Sequence, residues 1–364
     1  MMKTIARGYI WEMKVLENVY IQKGSKRYRQ AIVALFLGSI IAFGAEYCVQ
    51  PIIPVIAATF DLQPTEASLA VSCGTGGMAI AMLLLAVFAK RMARKMTMTI
   101  ALVGAALLTL GIAATESFGL ILLFRFFQGI LLAGFPVMAI AYVNEEFEPK
   151  IVGSIIGIYV AGTSLGGLAG RIILSTLTDF FSWQTSLAVM GLVYAVVGIF
   201  FWLFLPAAQQ KIAESVQPNV IKDLKRLLGN KQLLGVYAIA FAVMGAFVCM
   251  YNFISYVLLA APYNLSQTAI GFIFTIYLVG TVASGVMGRL CDRLGSGKVL
   301  TMAILCMLTG NLLTLFTLLA LKILGLAVFT YGFFGAHTAA CGWAGRLGKG
   351  NKAQISALYM LFYY

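Results

Sequence analysis

Residues 120–143, LILLFRFFQGILLAGFPVMAIAYV, and residues 151–174, IVGSIIGIYVAGTSLGGLAGRIIL, decide the fold. Each is apolar and long enough for a helix to cross a bilayer, which takes about 20 residues. Each also carries one arginine, Arg125 and Arg171. A charge centred in a membrane helix costs about 2.5–3.5 kcal/mol on insertion scales, so such a residue faces a bundle interior or a wet cavity and has a partner. Glu46, the sole acid of the first apolar run, is the expected partner. The second stretch adds a ladder of small residues, with Gly153, Gly157, Gly162, Gly166 and Gly170 near four-residue spacing, which lets helix backbones approach closely.

The surrounding chain is of the same kind. Hydrophobic residues make up 61% and charged residues 11% of 364, against about 45–50% and 25% in soluble domains. Apolar runs lie at 31–54, 67–89, 98–115, 118–143, 151–177, 184–205, 233–260, 268–290, 299–320 and 322–345, and predict ten spans. An eleventh run begins near Ala353 and has about a dozen residues before Tyr364, too few to cross; the expectation is a chain truncated within its eleventh helix. The domains read as a basic tail over 1–30, a first six-helix bundle over 31–205, a polar linker over 206–232 and an incomplete second bundle over 233–364. The IKDLKRLL portion of the linker suits a surface helix.

Lysine and arginine number 26 against 13 acids. Such an excess suggests nucleic acid in a soluble protein, but position explains it here. With the amino terminus in the cytosol, 23 of the 26 fall in cytosolic segments, as the positive-inside rule requires. The partners expected are therefore a lipid bilayer and a small solute, with no nucleic acid. Six scattered cysteines without CxxC spacing read as packing residues, and the single histidine, His337, excludes a multi-histidine metal site. No HExxH, GxSxG or P-loop pattern occurs, so neither an enzyme nor a cofactor is expected, and transport must draw on an ion or solute gradient.

Several stretches together resemble the major facilitator superfamily, and within it the bacterial drug:proton antiporter and sugar-efflux-permease branch. These are EYCVQPIIPVIAATFDLQPTEASLAVS (46–72), FRFFQGILLAG (124–134), AYVNEEFEP followed by GSIIGIYVAGTSLGGLAGR and DFFSW (141–183), and GRLCDRLGSGK (288–298). FRFFQGILLAG is similar to the family's R-x-x-Q-G motif through Arg125, Gln128 and Gly129. GRLCDRLGSGK is similar to its short G-x-L-x-D-R-x-G-R-K loop motif through Gly288, Asp292, Arg293 and Gly295. The resemblance implies an all-α membrane fold of two six-helix bundles that rock about a central site, a proton-linked role for Arg125, and residence as a monomer in a bacterial inner membrane. Two departures stand out: AVFAKRMARK (86–95) has Lys90 where the family's first loop motif has its aspartate, and the fifth-span element lacks the antiporter proline.

The coupling group expected is Glu46 with Arg125 and Arg171. Burial disfavours a charged carboxylate and an approaching guanidinium favours it, so a proton could come and go there while an arginine alternates between carboxylate and substrate. A permanent structural ion pair is the alternative. Counting about 1.5 Å per residue, all three charges fall in the outer half of the first bundle. Candidate cavity residues are Tyr47, Gln50, Gln128, Tyr159, Tyr251, Asn252, Tyr277 and His337, the last either a proton relay or a histidine hydrogen-bonded to a neighbouring helix. Gly162, Gly166, Gly167 and Gly170 form either a pliable contact between the bundles or static packing. Asp292 and Arg293 form either a cytosolic latch or an ordinary loop ion pair. The function expected is proton-coupled export of a small organic compound. Import or facilitated passage of a small solute, and a non-transporting receptor or assembly subunit, are the alternatives.

Overall fold

A computed structural model describes residues 20–88, 92–208, 226–347 and 352–364. Among them ten helices are long and apolar enough to cross a membrane. They are α1 (Lys26–Phe60), α2 (Leu69–Phe88), α3 (Arg94–Ala114), α4 (Phe118–Glu146), α5 (Val152–Phe180), α6 (Trp183–Phe204), α7 (Lys231–Leu259), α8 (Gln267–Leu294), α9 (Ser296–Thr314) and α10 (Leu319–Leu347), followed by α11 (Lys352–Tyr363). Enclosing backbone hydrogen bonds within each segment is what a helix offers in lipid, where water cannot satisfy them. Side chains such as Leu107, Leu203, Phe241 and Leu312 stand exposed along the outer faces, a surface suited to lipid rather than water.

The bundle has two cores. One joins buried residues from Ile21 to Leu205, among them Leu35, Phe135 and Phe201. The other runs from Leu227 to Tyr359 through Phe247, Phe329 and Phe333. Within the first half α1 packs on α5, α2 on α4, and α3 on α4 and α6; within the second, α9 and α8 pack on α10. Small residues set the closest approaches. A Cβ on Gly129 of α4 would fall 1.9 Å from the carbonyl oxygen of Gly74 on α2, and one on Gly77 would fall 2.2 Å from that of Phe126.

Several helices, α1, α4, α5, α8 and α10 among them, overrun the apolar runs that announce them, whereas α9 stops at Thr314, short of the run read to 320. The segment read as a tail over 1–30 already turns helical at Lys26, where the Ser25 side chain accepts from Tyr28 N. At the far end α1 continues to Phe60 by way of a 3-10 turn at Gln50–Ile52. Pro51 causes that turn: it has no N–H for the Tyr47 carbonyl, and its ring disfavours a helical residue before it. Glu46 consequently lies nearer the middle of its span than a span ending at residue 54 implies. Most of the linker, residues 209–225, lies outside the described residues, as does Lys90 of the degenerate loop motif.

The halves touch mainly at the end away from the basic loops. Gln50 Nε2 donates to Asn252 Oδ1 at 2.8 Å, and the Tyr256 hydroxyl to the Ile53 carbonyl at 3.4 Å, so the α1 turn is tied to α7. The first turn of α8 lies against α5, where a Cβ on Gly271 would meet the Ser175 side chain at 2.7 Å.

Candidate functional site

Arg125 is fully buried, at 0% exposure, and its fork is filled by backbone. Nε donates to the Ala70 carbonyl at 2.8 Å, Nη1 to the Ala45 carbonyl at 3.0 Å and to Gln128 Oε1, and Nη2 to the Glu46 carbonyl. The Ala45 and Glu46 carbonyls are available because the first helical segment of α1 stops at Tyr47, leaving its last turn without intrahelical donors and with the negative end of the helix dipole; the Ala70 carbonyl belongs to the first turn of α2. Gln128 is held in turn by its Nε2 donating to the Ala105 carbonyl at 3.0 Å and to Thr109 Oγ1 at 2.8 Å. Arg125 thus clamps α4 to α1 and α2, and through Gln128 to α3.

The expected pairing of Arg125 with the Glu46 carboxylate is therefore corrected: it pairs with the Glu46 main chain. Both Glu46 carboxylate oxygens are buried and, among the described residues, make no hydrogen bond and no ion pair. Glu46 does not point to lipid, its exposure being 0%. Its Oε1 and the Nη2 of Arg125 flank Gly74 together, at 3.0 and 2.8 Å from where a Cβ would sit. A side chain there would separate the two charges.

Arg171 completes the group from α5. Its Nε and Nη2 donate to Gln50 Oε1 at 3.0 and 2.7 Å, and Nη1 to the Gly167 carbonyl at 2.8 Å. The rings of Tyr47, Phe274 and Tyr277 lie 4.6, 4.9 and 5.0 Å from its guanidinium carbon, a range in which cation–π attraction operates. Like Arg125, it makes no ion pair among the described residues.

Arg171 forms part of the wall of a cavity of about 260 Å3 between the two halves. Tyr47, Gln50 and Tyr277 line it, as does Gly167. Asn252 borders a neighbouring cavity of about 310 Å3 between α2 and α7. Four other candidates do not line the central cavity. Gln128 sits behind the wall with Arg125, Tyr159 stacks on Phe135 at 6.4 Å, and Tyr251 shares a 2.7 Å hydrogen bond with Thr330. His337 Nδ1 lies 2.9 Å from the Tyr359 hydroxyl of α11, a hydrogen bond to a neighbouring helix. Residues that the sequence reading missed include Phe43, Phe247, Phe333 and Phe334 in the wall. Nothing distinguishes them in sequence from phenylalanines that face lipid.

The glycine ladder seats α5 on α1 within the first half, not on the second half. Cβ atoms on Gly162, Gly166 and Gly170 would come within 2.0 Å of Ser39 Oγ, 2.3 Å of the Ile40 carbonyl oxygen and 2.8 Å of the Gly44 backbone. These three positions are helix packing, and only Gly167 faces the cavity. Asp292 and Arg293 are exposed and, among the described residues, make no ion pair. The contact between halves that the sequence reading overlooked is Asp179, whose Oδ1 accepts from Gln267 N at 3.0 Å and Oδ2 from Thr268 N at 2.7 Å, capping the start of α8. Ser175, one turn earlier, donates to the Gln267 carbonyl.

Comparison with known proteins agrees with this architecture. Residues 35–364 match the family model described as Major Facilitator Superfamily. The MFS-type transporter YybF of Bacillus subtilis is 36% identical over 346 residues, covering 95% of this chain and 86% of that protein. The inner membrane transport protein YnfM of Escherichia coli is 35% identical over 348 residues, covering 95% and 84%. Among solved structures, a bacterial homolog of the human lysosomal transporter Spinster, inward-facing and occupied, superposes with a TM-score of 0.79 at 17% identity, covering 93% of this chain and 80% of that one. The nucleoside transporter NupG gives 0.75 at 15% identity, covering 93% and 87%.

Proposed function

The chain belongs to the Major Facilitator Superfamily and is a multi-pass membrane transporter, not an enzyme, and on that premise we propose that it couples proton movement to passage of a small organic compound by alternating access, with export as the direction. The observation that carries the coupling is the Glu46 carboxylate, buried beside two guanidinium groups with no hydrogen bond to hold it in one charge state. Tyr47, its neighbour in sequence, faces the central cavity, so a proton on Glu46 and a solute in the cavity occupy adjoining space. Export is the direction that the drug:proton antiporter and sugar-efflux-permease resemblance supports, and a monomer in a bacterial inner membrane with a cytosolic amino terminus is the setting it implies.

Uptake is the second reading, and one observation favours it. Among the described residues, the side chains of the cavity wall include Arg171 and no carboxylate. A proton arriving at Glu46 makes that neighbourhood more positive, so an anionic cargo would bind with the proton instead of against it.

Proteoliposomes loaded with a trapped pH dye, given an imposed pH gradient and a panel of anionic, neutral and cationic small compounds, test both readings. Exchange predicts that a compound of the panel accumulates on the acidic side; co-transport predicts the alkaline side. Glu46→Gln should reduce the gradient-driven accumulation at least tenfold. Accumulation that ignores the gradient, or that Glu46→Gln leaves intact, would falsify the coupling role.

A further inference from the structure

We infer that the central cavity takes a small aromatic anion, a carboxylate or sulfonate borne on a ring, with the acid group on the Arg171 guanidinium and the ring among the aromatic side chains opposite. The inference rests on the transport reading for its purpose, but its argument is separate and starts from charge. Among the described residues, Arg171 is the one charged side chain in the wall. It is 4% exposed and lacks an anionic neighbour in ion-pair range among the described residues. Glu46 acts on this guanidinium from beyond ion-pair range; a buried guanidinium without a directly paired counter-charge is costly, and an anion entering the cavity supplies that pair.

The geometry suits a planar acid. A guanidinium presents five N–H donors in a rigid fork. Three of Arg171's contacts, two to Gln50 Oε1 and one to the Gly167 carbonyl, use one hydrogen each, which leaves two N–H groups for a ligand. Gln50 is itself fixed by donating to Asn252, so its oxygen is turned toward Arg171 and the fork is oriented before any ligand arrives. Pre-orientation of this kind lowers the entropic cost of binding.

The remaining wall selects a ring. Phe247 stacks on Phe333 at 3.7 Å between centroids, and Tyr277 lies 5.1 Å from Phe247. Such surfaces favour offset or edge-on contact with another aromatic group. The volume of about 260 Å3 is below the roughly 300–1,000 Å3 typical of ligand pockets, which suits a single ring. A cation would be repelled by the Arg171 guanidinium at the wall.

Titration calorimetry on the purified full chain at neutral pH tests this with four probes: benzoate, benzamide, benzylamine and acetate. Benzoate should bind at least tenfold more tightly than benzamide, its neutral isostere, and than acetate, which lacks the ring; benzylamine should not bind. Arg171→Gln should lower benzoate affinity at least tenfold, and Arg171→Lys should lower it by a smaller factor, since it keeps the charge and loses the fork. The probe series on the unaltered protein stands even if a variant fails to fold. Equal binding of benzamide, preference for benzylamine, absence of benzoate binding, or benzoate affinity indifferent to Arg171 would each overturn the inference. If another compound of the vesicle panel still moves protons in a Glu46-dependent way, the transport reading survives that result. If benzoate binds through Arg171 but no compound responds to the gradient, the binding inference survives and the coupling falls.

Discussion

Arg125 and Arg171 are of one residue type, forty-six positions apart in sequence, and the chain uses them differently. Arg125 is enclosed by four acceptors and reaches no cavity, so its first role is to hold α1, α2 and α4 in register. Removing it leaves the Ala45, Glu46 and Ala70 carbonyls with fewer donors in a dry interior. Arg125→Ala should destabilise the purified protein by about 3 kcal/mol or more, since each buried carbonyl left without its donor costs about 1–3 kcal/mol, seen as a large fall in the midpoint of thermal unfolding. A midpoint within a degree or two of the parent would show that the clamp does not matter. Both arginines were legible in the sequence, because a charge in an apolar run has few explanations. Their partners were not. Two of the three carbonyls that satisfy Arg125, Ala45 and Glu46, are free because α1 is interrupted before Pro51, and a side-chain partner search looks for acids instead of helix ends.

At the scale of elements, glycines that look alike in a ladder divide by what faces them. Gly166 would drive a Cβ into the Ile40 backbone, whereas Gly157 has nothing within 4 Å. Gly157→Ala should be neutral or stabilising by up to about 1 kcal/mol, the helix-propensity difference. Gly166→Ala should destabilise, and a reversed order in thermal unfolding would refute the assigned α1–α5 contact. The seam between α5 and α8 is the second element-level test. Asp179 accepts from two N–H groups at the start of α8, an N-terminal cap supplied by the opposite half of the molecule. Loss of such a cap costs about 0.5–2 kcal/mol. Asp179→Asn should therefore raise the population opened at this end by a fewfold, read as longer distances between spin labels at Phe181 and Leu265. Unchanged distance distributions would rule out a latch. Sequence reading could see DFFSW as part of a motif but not its partner, which lies 88 residues away.

At the scale of the molecule, ten spans follow from apolar length alone, and among the described residues the structure returns ten helices at the same places, most of them with shifted ends. The cavity was less legible. A helix surrounded by lipid and by other helices is apolar on every side, so periodicity does not mark which phenylalanines face inward; half of the nominated cavity residues turned out to be packed behind or beside the wall. The sign of coupling belongs at this scale too. Proton and cargo affinities are linked reciprocally, and on the uptake reading an anion on Arg171 and a proton on Glu46 each strengthen the other's binding, whereas on the export reading each weakens it. Under uptake, benzenesulfonate, whose charge is constant with pH, should bind more tightly as pH falls, and Glu46→Gln should flatten that dependence. Among the described residues, Arg125, Arg171, Tyr47, Cys48 and Tyr364 are the other titratable groups acting near Glu46. Affinity that rises with pH would point to exchange and to export.

The Gln50 side chain occupies a position with two obligations. Its oxygen serves the guanidinium on α5 while its nitrogen serves the amide on α7. A cargo that draws the Arg171 fork away from Gln50 slackens the same side chain that spans the two halves, so occupancy of the cavity and loosening of the far seal become one event, transmitted by a single carboxamide without any intervening helix having to move first.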